Sequence, residues 1–583
     1  MTTVTSTGTP EFPTVSGAMP STDHETMDAA IQTLNARKDA WVALGVPERI
    51  AIIDAVIRDV AAVADRWVEA CLAAKGIAPD APAAGEEWSN GPYSTMKELR
   101  QYRQSLVDIA ASGHPHIPGP VTTRADGQVV ARVFPQSTYD KIFFSGVTAE
   151  IWMQPDVTQR DLAKSQAVNY RDREHPGKVS LVLGAGNVSS IGPLDALYKL
   201  LVDDEVVIIK TNPINSYLGP IWEEGLRALI EPGYLRIVHG GSAEGAYLCN
   251  HPDISDIHVT GSDKTFEAIV FGSGPEGAAR KAAHTPVLDK PITAELGNVS
   301  PVIVVPGPWS ASDIAYQAEH LATMLTNNAG FNCNATRTIL TYADWPQRTE
   351  LLNKLRDVLS KVPLRNAFYP GARERYQAFA AAHPEAEQFG RPAEGELSWM
   401  LIPGVTPESA DEIAFTTEAF CGIFAETPLK AASVAEYIDK AVAFCNQQLW
   451  GTLNATIVLH PASQRDPAVA EAIKRGIAHL CYGTVAVNYW AATSYAIGAT
   501  TWGAFPGHAI NDIQSGTGVV HNTLMFSRPQ KSVLYAPFRA FPVPVWFVSH
   551  GKAAKTVFRK LTALEANPTP LKVPSIVVAA LRG

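Results

Sequence analysis

The sequence predicts an α/β protein built on doubly wound parallel sheets. From residue 178 onward short apolar runs alternate with amphipathic ones: strands at 179–183, 205–210, 234–239 and 256–259, helices at 191–202, 216–229, 243–250 and 264–271. Further β-like runs at 292–295 and 302–305 lead into a second α/β region, 297–498, with strands at 338–341, 452–459 and 484–488. Repeated β-α units imply parallel sheets with ligands at the carboxyl ends of the strands. At 583 residues, 46% of them hydrophobic, the chain has material for more than one core.

Four segments follow: residues 1–22, a flexible Thr/Ser/Pro-rich tail; 23–296, a first α/β domain with a helical entry region and a β excursion near 148–175; 297–500, a second α/β domain; and 501–583, a C-terminal arm and extension suited to oligomerisation. The entry region has helical spacing over 27–34, 39–43, 47–71 and 94–111. Runs at 129–133, 140–144 and 148–153 are rich in β-formers, and 369–397 reads as a long surface insertion. The apolar run 532–549 is interrupted by Pro537, Arg539, Pro542 and Pro544, which rules it out as a membrane-spanning helix; it reads as an interface arm, favoured here, or as ordinary packing against the protein's own body.

A formal net charge of −10 without a long basic run argues against a nucleic-acid partner. Cys71, Cys249, Cys333, Cys421, Cys445 and Cys481 are scattered without metal-ligand or CxxC spacing, the pattern of a reduced, cytoplasmic protein. His508, His521 and His550 also lack metal-like spacing and read as structural. The N-terminus has neither the basic nor the apolar part of a secretory signal.

Three positions carry chemistry. Cys333 lies in TNNAGFNCNATR (326–337), on a loop between a helix at 310–326 and the strand at 338–341. Small and amide-bearing neighbours offer few bulky apolar residues to bury it, and nearby backbone N–H groups would lower its pKa, but a free cysteine is commonly a core residue, and on the loop alone that reading is favoured. Glu295, in ITAELGN at the end of an apolar run, gains a base-like pKa if buried, or serves as a paired structural acid. Lys210 ends a strand where such sheets bind ligands, and suits phosphate or ribose hydroxyls as well as a snorkelling surface role. Gly184-Ala185-Gly186 is not a dinucleotide fingerprint: no glycine follows three residues after Gly186, and the next strand ends in Lys210 instead of an acid. Its glycines still permit a tight turn and close ligand approach.

Together these motifs resemble the aldehyde dehydrogenase superfamily. ITAELGNVSP is followed by Cys333, 38 positions after Glu295, and Asn187 precedes Lys210 by 23. His258-Val259-Thr260-Gly261-Ser262 is similar to the family's FTGS turn, and Thr417-Glu418-Ala419-Phe420 to its EEIF motif. The resemblance runs from about 177 to 488. It implies a cofactor domain, a catalytic domain and a small β oligomerisation element. By that resemblance Cys333 is the nucleophile, Glu295 the general base, and Asn187 with the Cys333 backbone N–H the oxyanion hole. Lys210 and Glu418 would hold ribose hydroxyls, Gly261 and Ser262 the pyrophosphate, and Phe420 the nicotinamide of NAD or NADP.

The implied reaction oxidises a small-molecule aldehyde to a carboxylate through a Cys333 thiohemiacetal and thioester, in a homodimer or homotetramer. Tyr198, Phe331, Tyr489 and Trp490 are candidates for lining an aldehyde tunnel. The chain departs from the pattern at Pro213, where a ribose-binding Glu is common and whose absence makes NADP tolerable. It departs also at Asn298, where a second glycine is expected, and over 272–280, a glycine-rich insertion. Two other readings are a CoA-acylating enzyme, against which Glu295 argues, and a catalytically silent cofactor-binding scaffold.

Overall fold

A computed structural model describes residues 15–409, 411–551 and 553–582. Its first sheet has five parallel strands, in the order Ile292–Leu296, Asp256–Gly261, Val179–Leu183, Val206–Thr211, Leu235–His239. The short strand Gly516–Thr517, from the tail, adds antiparallel to Ile292–Leu296. Val179–Leu183 and Val206–Thr211 are buried throughout, as near-continuous apolar runs are when helices cover both faces of a sheet. Strand order reverses between Val179–Leu183 and Asp256–Gly261, which opens a crevice beyond their carboxyl ends.

The entry region is helical, as expected, and its principal helices are His24–Ala43, Val46–Lys75 and Ser94–Ser112. Ile31, Leu34, Trp41, Val60 and Trp67 share one core with the first sheet, and the Trp41 indole N–H donates to Leu200 O at 3.1 Å. Of the tail expected over 1–22, residues 1–14 lie outside the described residues. Thr22, by contrast, bonds the edge strand: its N–H donates to His239 O and its Oγ1 accepts from His239 N, both at 2.9 Å.

The second sheet has eleven strands. Its parallel centre runs, in spatial order, Pro529–Tyr535, Thr484–Val487, Asn454–Leu459, Pro301–Val305, Thr338–Tyr342, Ile423–Leu429, Trp399–Ile402. Glu387–Phe389 closes one side antiparallel, and Thr148–Met153, Val129–Phe134 and Val121–Thr123 continue the other. The β excursion therefore belongs to the second sheet rather than to the first domain that precedes it in the chain.

Three expectations change. The run 140–144 is helical, Thr138–Phe143, because Ser137 and Asp140 form a reciprocal capping box that outweighs the β-forming side chains. The 369–397 segment is partly built in: helix Ala372–Ala382 buries Tyr376 and Phe379, and Glu387–Phe389 joins the sheet. The tail packs on its own chain, the second of the two readings of its apolar run. Pro529–Tyr535 sits between Thr148–Met153 and Thr484–Val487, and Val557, Phe558 and Leu561 of helix Ala553–Ala566 pack on Val68, Leu72 and Tyr93. Among the described residues no helix is long and apolar enough to cross a membrane.

Candidate active site

The two sheets meet where Ile292–Leu296 ends and Gly297–Ser300 crosses to Pro301–Val305. Glu295 points from this junction into a buried space with Cys333, which stands on the loop between helix Ala311–Thr326 and strand Thr338–Tyr342. The Cys333 thiol and the Trp502 indole both lie beside the Glu295 carboxyl. Burial pushes Glu295 up to about 7, while Trp502 and Cys333 pull it back down. Glu295 Oε1 has no partner among the described residues.

Cys333 keeps intermediate exposure, but its thiol is pushed well above its ordinary range, by burial first and then by the Glu295 and Glu418 carboxylates. This reverses the expectation of a lowered pKa: burial, with the carboxylates adding to it, outweighs the backbone N–H group, which acts in the other direction. The loop's amides are scaffolding rather than a sign of openness. Asn332 Nδ2 donates to Asn327 Oδ1 at 3.0 Å, and buried Arg337 donates to Gly330 O at 2.6 Å. Cys333 O accepts from Ser300 Oγ and Asn454 Nδ2, both at 3.3 Å. Asn298 Oδ1 accepts from Ser300 Oγ at 2.7 Å and from Asn454 Nδ2 at 3.2 Å, so the residue that replaces the expected glycine braces the cysteine's carbonyl.

Asn187 lies on the turn after Val179–Leu183 and is 5% exposed; its Nδ2 donates to Phe331 O at 2.9 Å, two residues before Cys333. Gly186 on that turn has another reason for being glycine than the one expected. A Cβ there would come within 2.8 Å of the Asn212 side chain, so the close approach is between two loops of the protein.

Lys210 ends Val206–Thr211 with its Nζ donating to Gly240 O at 2.9 Å and Gly241 O at 3.2 Å. Burial lowers it to about 8 against the pull of Glu244. Gly261 ends its strand, and Ser262 caps the following helix Asp263–Phe271, accepting from Thr265 N at 3.1 Å. The insertion at 272–280 forms most of one further helix, Gly274–Ala282. Glu418 reaches the same inter-sheet space: burial raises it to about 8, Arg337 and Arg375 oppose this, and its Oε1 finds no partner among the described residues. Phe420, at φ +41°, packs on Tyr369 at 4.8 Å and Phe331 at 6.1 Å between ring centroids. A buried, unsatisfied carboxyl oxygen together with a lysine at a strand's carboxyl end fits a ligand rich in hydroxyls, as a dinucleotide is.

Of the four aromatic residues expected along a tunnel, one meets the thiol's surroundings. Tyr198 packs against the cluster of Leu453, Trp502 and Val520 on which Cys333 also packs, and it lines a cavity of about 350 Å³ bounded by Val202, Phe505, Val519 and Phe526. Phe331 faces Phe368 and Tyr369 instead, at 4.9 and 5.8 Å. Tyr489 packs on Trp546 at 5.4 Å, and Trp490 braces the loop from behind, its indole donating to Asn334 O at 2.9 Å. Trp502 and Lys75 were not legible as site residues. An isolated tryptophan reads as core, and a lysine closing a helix reads as a solvated cap.

Comparison with known proteins finds one family over part of the chain. The model of the aldehyde dehydrogenase family matches residues 205–373. Human (Homo sapiens) 4-trimethylaminobutyraldehyde dehydrogenase is 31% identical over 152 residues, 26% of this chain and 25% of that protein. An aldehyde dehydrogenase of Enchytraeus buchholzi is 37% identical over 109 residues, 18% of this chain and 19% of that protein. Among solved structures, an NADP-dependent glyceraldehyde-3-phosphate dehydrogenase from Bacillus halodurans C-125 covers 88% of this chain and 92% of its own, with a TM-score of 0.58 at 17% identity. A Mycobacterium tuberculosis aldehyde dehydrogenase complexed with NAD+ covers 88% and 91%, with a TM-score of 0.58 at 19% identity.

Residues 205–373 match the aldehyde dehydrogenase family, and the chain has the fold of solved aldehyde dehydrogenases. The aldehyde dehydrogenase fold extends over most of it, whereas the matched sequence spans about a quarter or less of the length of these curated relatives. The family-model segment includes Lys210, Gly261, Ser262, Glu295 and Cys333; Asn187, Glu418 and Phe420 lie outside it.

Proposed function

We propose that this aldehyde dehydrogenase-like chain oxidises an aldehyde to a carboxylate, with NAD or NADP as hydride acceptor. The observation that carries this reading is the Cys333 thiol beside the Glu295 carboxyl in a buried space, with Asn187 bonded to the same loop. Lys210, Gly261, Ser262, Glu418 and Phe420 would hold the dinucleotide, whose nicotinamide supplies the hydride acceptor when bound.

The residues' own work divides as follows. Above about pH 7 Glu295 is ionised and takes the thiol's proton, which overcomes the thiol's raised pKa without a free thiolate at rest. Cys333 Sγ then bonds the aldehyde carbon as a thiohemiacetal, whose oxyanion is met by Asn187 Nδ2 and the Cys333 N–H. Loss of hydride leaves the acyl group on sulfur as a thioester. Glu295, after giving its first proton to solvent, takes a second from the attacking water, and the carboxylate leaves with the thiol restored. Tyr198, Leu453, Trp502 and Val520 give the substrate side an apolar, aromatic wall.

The test is absorbance at the reduced-nicotinamide band with aliphatic and aromatic aldehydes, NAD and NADP being supplied separately and CoA withheld. The expected result is turnover without CoA that Cys333→Ala abolishes while cofactor binding persists. Unchanged turnover in that variant would overturn the proposal, and an absolute need for CoA would replace water by a thiol acceptor.

A further inference from the structure

The helix Val46–Lys75 ends beneath the active-site loop, with Gly76 in the left-handed conformation as its cap. Its last side chain is buried and turned inward. Lys75 Nζ donates to Glu87 Oε1 at 2.8 Å and Oε2 at 3.1 Å, to Asn328 Oδ1 at 2.9 Å and to Asn187 O at 3.4 Å, and it lies over the Phe368 ring at 4.7 Å. Glu87 alone would satisfy a structural ion pair. The ammonium goes further and reaches a side chain 253 residues away in sequence.

That side chain belongs to the strained part of the loop. Asn328 at φ +52° and Ala329 at φ +57° are consecutive left-handed residues with side chains, a conformation that persists only when the surroundings hold it. The surroundings do so from the entry region. Glu86 Oε2 accepts the Asn328 N–H at 2.9 Å and pairs with Arg365 at 3.1 Å, while Lys75 fixes Asn328 Oδ1. With its oxygen held, Asn328 Nδ2 is aimed at Asn187 O at 2.9 Å, Phe331 O at 3.2 Å and Asn332 Oδ1 at 3.1 Å. Phe331 O also accepts from Asn187 Nδ2. Lys75, Asn328, Asn187 and Phe331 therefore form a closed set that spans both sheets and ends two residues before Cys333.

We infer that Lys75 is a positioning residue: through Asn328 it sets the Cys333 loop against the Asn187 turn, so that thiol and oxyanion donor keep one mutual geometry. The inference rests on the roles given to Cys333 and Asn187 above. It makes the N-terminal helices part of the catalytic apparatus, although none of their side chains is assigned to touch substrate.

Two variants test it. Lys75→Met with Glu87→Leu removes both charges together and leaves no lone buried carboxylate. Asn328→Gly keeps the left-handed backbone and deletes the amide tether. Three quantities are read: steady-state kcat and KM with aldehyde, cofactor affinity by nicotinamide fluorescence, and the rate of Cys333 alkylation by iodoacetamide across pH. Both variants are expected to lose about 30-fold in kcat with KM and cofactor affinity within threefold, and to change the alkylation rate at least fivefold. Combining all three substitutions adds little further loss, because they break one linkage. Wild-type kcat and alkylation rate in Asn328→Gly would overturn the inference, even if the double variant proves unstable. Should the wild-type protein oxidise no aldehyde, the alkylation arm still decides whether Lys75 positions the thiol.

Discussion

The carboxyl of Glu418 rests against the bare Cα of Gly297, so closely that an added Cβ would collide with it. Gly297→Ala is therefore expected to displace Glu418 and weaken cofactor binding about tenfold, the worth of one hydrogen bond to a charged group. Adding Glu418→Ala to that variant should cost nothing more, since the same contact is already lost. Titration of nicotinamide fluorescence on the four proteins checks this; additive losses would separate the two residues.

Glu295 is raised to about 7, so its ionised fraction grows as pH rises through neutrality. Turnover limited by this base should climb between about pH 6 and 8 and level off above. Glu295→Gln is expected to release one equivalent of reduced cofactor and then stall at the thioester, a burst that stopped-flow absorbance resolves.

The same carboxylate helps to raise the Cys333 thiol. Removing its charge in Glu295→Gln should shift the alkylation profile of Cys333 towards lower pH. The difference from wild type opens only above about pH 7, because below that the native carboxyl is itself protonated and uncharged. Iodoacetamide labelling followed by mass spectrometry measures it.

Pro213 opens the short helix Pro213–Leu218, with Asn212 Oδ1 accepting from Ile214 N at 3.1 Å. Pro213→Glu places a carboxylate where a ribose 2′-hydroxyl would be bound and a 2′-phosphate repelled. The ratio of kcat/KM for NAD over NADP is expected to rise by roughly tenfold, about 1.4 kcal/mol. No change in the ratio would locate the adenosine ribose elsewhere.

Lys97 Nζ bridges Asp140 at 2.6 Å and Glu565 at 2.8 Å, joining an entry helix, the capping-box helix and the C-terminal helix Ala553–Ala566. Lys97→Met leaves two carboxylates facing each other in a buried space and should destabilise by about 3–5 kcal/mol. Glu565→Ala leaves the inner pair intact and should cost less. Scanning calorimetry ranks them, and equal losses would assign the stabilisation to the lysine's packing alone.

The β-α alternation was legible because parallel strands covered on both faces are written as unbroken apolar runs, Val206–Ile209 being the clearest. Glu295 and Cys333 were legible through motif and spacing, and the structure brings them into contact. What stayed hidden depends on residues far apart in the chain. Nothing local in Lys75 announces a partner at Asn328, and the direction of the Cys333 shift comes from burial by distant segments, with carboxylates 38 and 85 positions away adding to it. The run 140–144 carries β-forming side chains, but the helix there is started by Ser137, outside the run. Asn298 looked like a loss of pattern, and its amide instead holds the hydroxyl and amide that brace Cys333 O.

Strand Pro529–Tyr535 is stitched between Thr148–Met153 and Thr484–Val487, and this sets a timetable for the nascent polypeptide. Gln154 and Pro529, whose groups bond across that seam, are 375 residues apart. At 5–20 residues per second of translation, the earlier strand waits roughly 20–75 s for its neighbour. For most of that interval only the edge of Thr148–Met153 stands open, because Thr484–Val487 is made just 42 residues before Pro529.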